Sequence, residues 1–197
     1  MSVLIEKSLI MTDFQKVRSH SEDLCSPLEI EDYQIQPMAD ASPPKWHLAH
    51  VTWFFETFVL KKHSHNYQVL NPAFNYLFNS YYNGVGSPYP RASRGHLSRP
   101  TVAEIYEYRK IIDERILNLL ETNRDPEIIF RVTLGLHHER QHQELMLTDV
   151  KYNFGNNPLL PSYSPKIENN IGQVLPQKWI EFKGGIAEIG AFYSNDF

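Results

Sequence analysis

From Pro100 to Val150 the chain keeps a helical period with one short break at residues 123–125, and this stretch constrains the fold more than any other. Its first half, RPTVAEIYEYRKIIDERILNLLE, opens with Thr101 and, three residues on, Glu104. That pair can satisfy the free N–H groups at a helix start reciprocally. Val102, Ile105, Tyr106, Tyr108, Ile112, Ile116, Leu119 and Leu120 give the helix its apolar surface. A second long helix is predicted from about Pro126 to Val150.

Two more helices precede this pair. Residues 5–25 read as helix, with Leu9, Phe14, Val17 and Leu24 at buried positions. Ser42, Pro43 and Pro44 supply a cap and first turn for a helix over residues 43–61. On it, Trp46, His50, Trp53, Phe54 and Thr57 recur at the three- and four-residue steps of one face. From Tyr67 to Pro100 no period is sustained, although short helical turns are expected around AFNYLFNSYY. Four long helices with a long crossover between the second and third pack most economically as an all-α four-helix bundle.

After Phe154 the texture changes. GNNPLLPSYSPKIENNIGQVLPQ reads as a linker, and KWIEFKGGIAEIGAFYSNDF as two short strands about Gly184 and Gly185, a β-hairpin opening a second module. The expected division is a bundle over 1–155, a linker over 156–177 and the start of that module over 178–197. With 42% hydrophobic residues in 197, the chain can bury a real core. A net charge of −4 argues against broad nucleic-acid binding. The longest apolar patch, VTWFFETFVL, is broken by Glu56, and no leader or membrane span is read. The single cysteine, Cys25, suits a reducing compartment, so a cytoplasmic protein is expected.

The chemistry concentrates in TLGLHHERQHQELMLTDV, residues 133–150. His138 and His142, four apart on a helix, project to one side. Leu134 and Leu145 share that stripe, so the pair is expected to face the bundle interior, where unpaired imidazoles are costly. A metal resolves the cost, and His50 on the aromatic face of the second helix is the natural third ligand. Three histidines leave coordination positions open for substrate. His47 and His137 are turned about 100° from the ligand positions, which suits a supporting or surface place. HERQH also fits the HExxH pattern of zinc peptidases, with Glu139 as general base. That reading needs a further ligand downstream, and Glu168 has no helix to position it. Gln141, on the flank of the histidine face, can hydrogen-bond a metal-bound group or simply face water. Arg91, Arg94 and Arg99 crowd the crossover, where they could hold carboxylates at the bundle mouth or face solvent.

Three blocks, MADASPPKWHLAHVTWFFETFVL, FNYLFNSYYNGVGSPYPRASRGHLSRPTVAEIYEYR and LHHERQHQELMLTDVKYNF, resemble the N-terminal half of the ergothioneine-biosynthesis sulfoxide synthases. The resemblance implies a DinB-like four-helix bundle followed by the start of a formylglycine-generating-enzyme-like domain. It implies iron(II) held by His50, His138 and His142. The implied reaction uses O2 to join the sulfur of cysteine or gamma-glutamylcysteine to C2 of the imidazole of hercynine (trimethylated histidine), leaving a sulfoxide. By the same mapping Gln141 lies beside the bound imidazole, and Arg91 and Arg94 meet donor carboxylates. The catalytic tyrosine belongs to the partner module, most of which the sequence lacks, so a fragment of a longer synthase is expected. A face left without that module could self-associate. Two alternatives remain open: a DinB-like zinc or nickel thiol-transferase, and a non-catalytic metal-stabilised bundle.

Overall fold

The computed structural model describes residues 3–123, 125–164 and 175–190. Four long helices dominate: α1 (Val3–Cys25), α2 (Pro44–Phe55), α3 (Val102–Thr122) and α4 (Pro126–Asn156). The starts of α3 and α4 follow the sequence, whereas α2 begins without the Ser42 cap, Pro43 holding that position with no side-chain bond. Thr101 Oγ1 accepts from the Glu104 N–H at 3.2 Å, while a Glu104 carboxylate oxygen accepts from the Thr101 N–H at 2.6 Å. Asp125 caps α4 by accepting from the Glu127 N–H at 2.9 Å, with Pro126 in the first helical position. Proline there forgoes an N–H that would lack an intrahelical acceptor anyway.

Helix α2 continues through a π-helical turn, Glu56–Leu60, into a last α-turn, Lys61–His63. The π turn carries a buried carboxylate. Glu56 accepts from the Tyr67 hydroxyl and the Leu70 N–H, each at 2.9 Å, and from the Tyr108 hydroxyl. These bonds pin the start of the crossover to α2 and α3. Further along, the crossover forms a helical turn at Phe74–Leu77 and a 3-10 segment at Arg91–His96.

The core is made by inward positions of all four helices, among them Phe14, Trp53, Phe55, Ile105, Ile112, Ile116, Ile128 and Leu136. Charge is buried within it as well. Glu139 of α4 accepts from Arg18 Nη1 at 2.8 Å, Ser21 Oγ at 2.6 Å and Arg109 Nη2 at 3.2 Å. Arg18 Nε also donates to Asp113 at 2.7 Å. One ionic cluster therefore ties α1, α3 and α4 together, and each buried charge in it meets an opposite one.

The chain divides into two compact units, Met1–Pro165 and Lys166–Phe197. The hairpin expected over 178–197 is not formed: residues 175–190 contain no strand, and residues 191–197 lie outside the described residues. The alternating pattern is present, but Trp179, Ile180, Phe182, Ile186 and Ile189 are all exposed. Two short strands without an apolar face to bury do not recover the entropy of pairing. Among the described residues the fold is all-α. No helix is long and apolar enough to cross a membrane.

Candidate metal centre

Every residue of α2 from Pro44 to Phe55 is buried, Lys45 and both histidines included. The helix is enclosed on all sides, so its polar residues must find partners within the fold. Its approach to α4 is set at Gly135. A Cβ there would overlap the ring of Phe55 and press on that of Phe54 at 3.1 Å. Only the bare backbone of glycine lets the two helices come this close, and the approach brings His50 to His138.

The Nε2 atoms of His50 and His138 lie 3.2 Å apart. One ring nitrogen from each of His50, His138 and His142 falls within 4.8 Å of the others. Trp46 stacks on the His50 ring at 4.6 Å between centroids, and Trp53 faces it at 5.7 Å. Burial holds the imidazoles neutral. It pushes His50 well below its ordinary pKa, reinforced by His138, and lowers His138 to about 4 against the opposing pull of Glu139. His142 is driven far down by burial and then by its three histidine neighbours.

The donor set fits a metal ion. His50 Nδ1 lies 2.6 Å from the carbonyl oxygen of Phe78, which can only accept. Its proton is therefore on Nδ1 and its Nε2 lone pair is bare. Nδ1 of His138 is buried with no hydrogen-bond partner. Neutral nitrogens gathered this closely, with too few protons among them to satisfy one another, are good ligands for a divalent cation. These three residues would hold it.

The other residues singled out by sequence fall in different places. Arg94 is buried, its guanidinium 3.3 Å over the Trp46 ring, donating to Ser42 Oγ at 2.9 Å and Ser80 Oγ at 3.0 Å. Its Nε has no partner, and burial with the neighbouring Arg91 lowers its pKa to about 10. Arg91 is exposed, bonded to the Asp40 carbonyl at 2.9 Å and the Tyr81 hydroxyl at 3.1 Å. Arg99 and Gln141 are exposed. Glu168 lies outside the described residues. Glu139 is turned away from the histidines into the ionic cluster, where Arg18 and Arg109 overcome the cost of burial and hold its pKa low. A strongly ion-paired carboxylate is unsuited to the general-base role of the peptidase pattern.

Leu134 and Leu145 are exposed, at 43% and 41%, rather than buried beside the histidines. The inward stripe of α4 is Ile128, Val132, Leu136, Glu139, Gln143, Met146 and Val150. His138 and His142 sit on its shoulder, partly buried and next to α2. Polar Glu139 and Gln143 hide that stripe from a hydrophobicity reading. Gln143 is buried because its side-chain amide donates to the Val17 carbonyl and Ser21 Oγ, each at 2.9 Å.

Asp149 was not among the sequence candidates and His47 was given a supporting or surface place; both adjoin the site. His47 Nδ1 lies 2.8 Å from Nδ1 of His142, and its Nε2 lies 3.0 Å from Asp149 Oδ2. The sequence signal was present, since Asp149 follows His142 by two helical turns. A second cluster, His63, Asp125 and Glu127, could also hold a cation. Its carboxylates are exposed, with Asp125 capping α4 and Glu127 paired to Arg131 at 2.8 Å.

A comparison with curated proteins returned no match. The family model described as DinB superfamily matches residues 13–146, from the middle of α1 to just past the last of the three clustered imidazoles. That span is more than half of the 197 residues, and on this match the chain belongs to the DinB superfamily.

Proposed function

We propose that this bundle is the metal-binding part of a non-haem iron(II), O2-dependent sulfoxide synthase. It would join a cysteine or gamma-glutamylcysteine sulfur to C2 of hercynine. The observation that carries the reading is a buried cation without a carboxylate bonded to it, Arg94, stacked on the tryptophan that covers the three-histidine cluster. A guanidinium bonded only to hydroxyls is poised for a carboxylate from outside, such as that of an amino-acid thiol. The three sequence blocks that resemble the synthases add the substrate class.

The balance of the reaction is simple. The thiol S–H and the imidazole C2–H give up two hydrogens, one oxygen atom of O2 ends on sulfur, and the other leaves as water. The bound iron supplies activation of O2. The side chains do the rest. His50, His138 and His142 hold the ion through neutral nitrogens and leave positions open. Trp46 and Trp53 shield His50 from water. Arg94 anchors the donor carboxylate, which orients its sulfur and so lowers the entropic part of the barrier.

Anaerobic purification followed by elemental analysis tests the reading, with His138→Ala as control. One equivalent of iron, lost in the variant, is expected, together with O2-dependent formation of the sulfoxide from hercynine and thiol. Iron without that product, using the full-length protein, would reject the reaction. Zinc or nickel at one equivalent, with thiol transfer that needs no O2, would establish the thiol-transferase instead.

A further inference from the structure

We infer that His47 and Asp149 form a positioning relay that fixes the tautomer of His142, so that its Nε2 lone pair is the one offered to the metal. The inference rests on the three-histidine metal reading for its purpose, but its chemistry follows from hydrogen bonds alone. Asp149 Oδ2 receives the backbone N–H of Ser42 at 2.9 Å and lies 3.0 Å from His47 Nε2. A carboxylate oxygen accepts, so the His47 proton is on Nε2. His47 is buried, and a neutral ring with its single proton on Nε2 leaves Nδ1 bare. That bare nitrogen lies 2.8 Å from His142 Nδ1, where two lone pairs would repel. The His142 proton must therefore sit on Nδ1, and Nε2 is the open donor.

The arrangement at His50 reaches the same end by other means, through the Phe78 carbonyl. Two of the three imidazoles are thus locked in one tautomer by separate partners. His138 has no such outer partner, since its Nδ1 is unpartnered and only its Nε2 meets a neighbour, the bare Nε2 of His50 at 3.2 Å. The relay also does something a carbonyl cannot. It places a full negative charge one ring away from the His142 nitrogen, which makes that ligand more basic. Partners of this kind typically contribute about 10- to 100-fold to metal affinity.

The test uses the whole chain. Nitrogen-15 spectra of the metal-free protein should show His142 with the proton on Nδ1. In His47→Phe, which removes the acceptor, His142 should populate both tautomers. Cobalt(II) affinity should then fall about 10- to 100-fold. In His47→Gln, whose amide oxygen can accept and whose amide nitrogen can donate to Asp149, both properties should largely return. Asp149→Asn, which keeps an accepting oxygen and removes the charge, should weaken cobalt binding in the same direction; this variant decides the point if His47→Phe does not fold. A proton on Nε2 of His142 in the unaltered chain would overturn the inference. So would unchanged tautomer and affinity in the folded His47→Phe protein, or full cobalt affinity in Asp149→Asn. If the unaltered chain binds no cobalt, the metal reading fails separately, and the tautomer spectra still decide the relay.

Discussion

Glu139 Oε2 meets Arg18 Nη1 at 2.8 Å, 121 positions apart in sequence, in the ionic cluster beside the clustered histidines. The contact assigns the glutamate of HERQH to the architecture of the bundle. It also explains why a strongly acidic group can sit between two histidines in sequence without joining them at the metal.

Replacing that carboxylate separates the two roles. Glu139→Gln leaves Arg18 and Arg109 buried with one counter-charge fewer, and breaking a buried pair from one side costs about 3–5 kcal/mol. Urea denaturation should show a loss of this order, while folded protein still loads metal. Unchanged stability with lost activity would instead return Glu139 to the general-base role.

Acid should destabilise the metal-free chain before it reaches ordinary carboxylate pKa values. His138 is held down to about 4 in the fold, against about 6.5 in an unfolded chain. Above the unfolded value both states are neutral and this residue adds no pH dependence. Below it the unfolded chain takes a proton that the folded one refuses. Stability from His138 alone should fall by about 3 kcal/mol between pH 6.5 and 4, and His50 and His142 act in the same sense. Thermal melts across that range, repeated on His138→Ala, measure the slope and the part of it that disappears.

Gly135→Ala adds one methyl group against Phe55 and Phe54. Overpacking of this kind costs about 1–3 kcal/mol. Because the same contact sets how closely α2 approaches α4, metal affinity should drop along with the melting temperature. The paired measurement is calorimetry and metal titration on one preparation; a stability loss with unaltered affinity would show that the helices yield elsewhere.

Arg94→Gln keeps hydrogen bonds to Ser42 and Ser80 within reach and removes the charge. Metal content should be unchanged. The KM for the thiol donor should rise by at least about 10-fold, as expected for a lost charge-assisted bond of about 1.5–3 kcal/mol, while the KM for hercynine moves less. Equal shifts in both would assign Arg94 to Trp46 packing alone.

The four helices were legible because their periodicity and caps are local: Thr101 with Glu104, and Asp125 with Pro126, announce their helices without tertiary help. The gathering of His50, His138 and His142 could be anticipated from spacing along two helices. The side of α4 that faces inward could not. Its marker residues, Glu139 and Gln143, look like surface until Arg18, Ser21 and Arg109 arrive from distant positions. His47 read as either supporting or surface, without a choice between them, for a related reason. Sorting a helix into inner and outer faces assumes that it has an outer face, and α2 has none. The strand pattern after residue 177 is legible too, but a pattern states which side chains need burial and does not provide the surface that buries them.

The shoulder position of the histidines has a consequence for the order of events in the life of the protein. The aliphatic interior and the arginine–glutamate cluster close the bundle without the three imidazoles, which meet only Trp46, Trp53 and Phe54 of its aromatic interior. Folding of the rest of the bundle would then not need an ion. An ion would reach His138 and His142 from a site edge that stays partly open. The identity of that ion would be decided by which one is supplied to the finished fold.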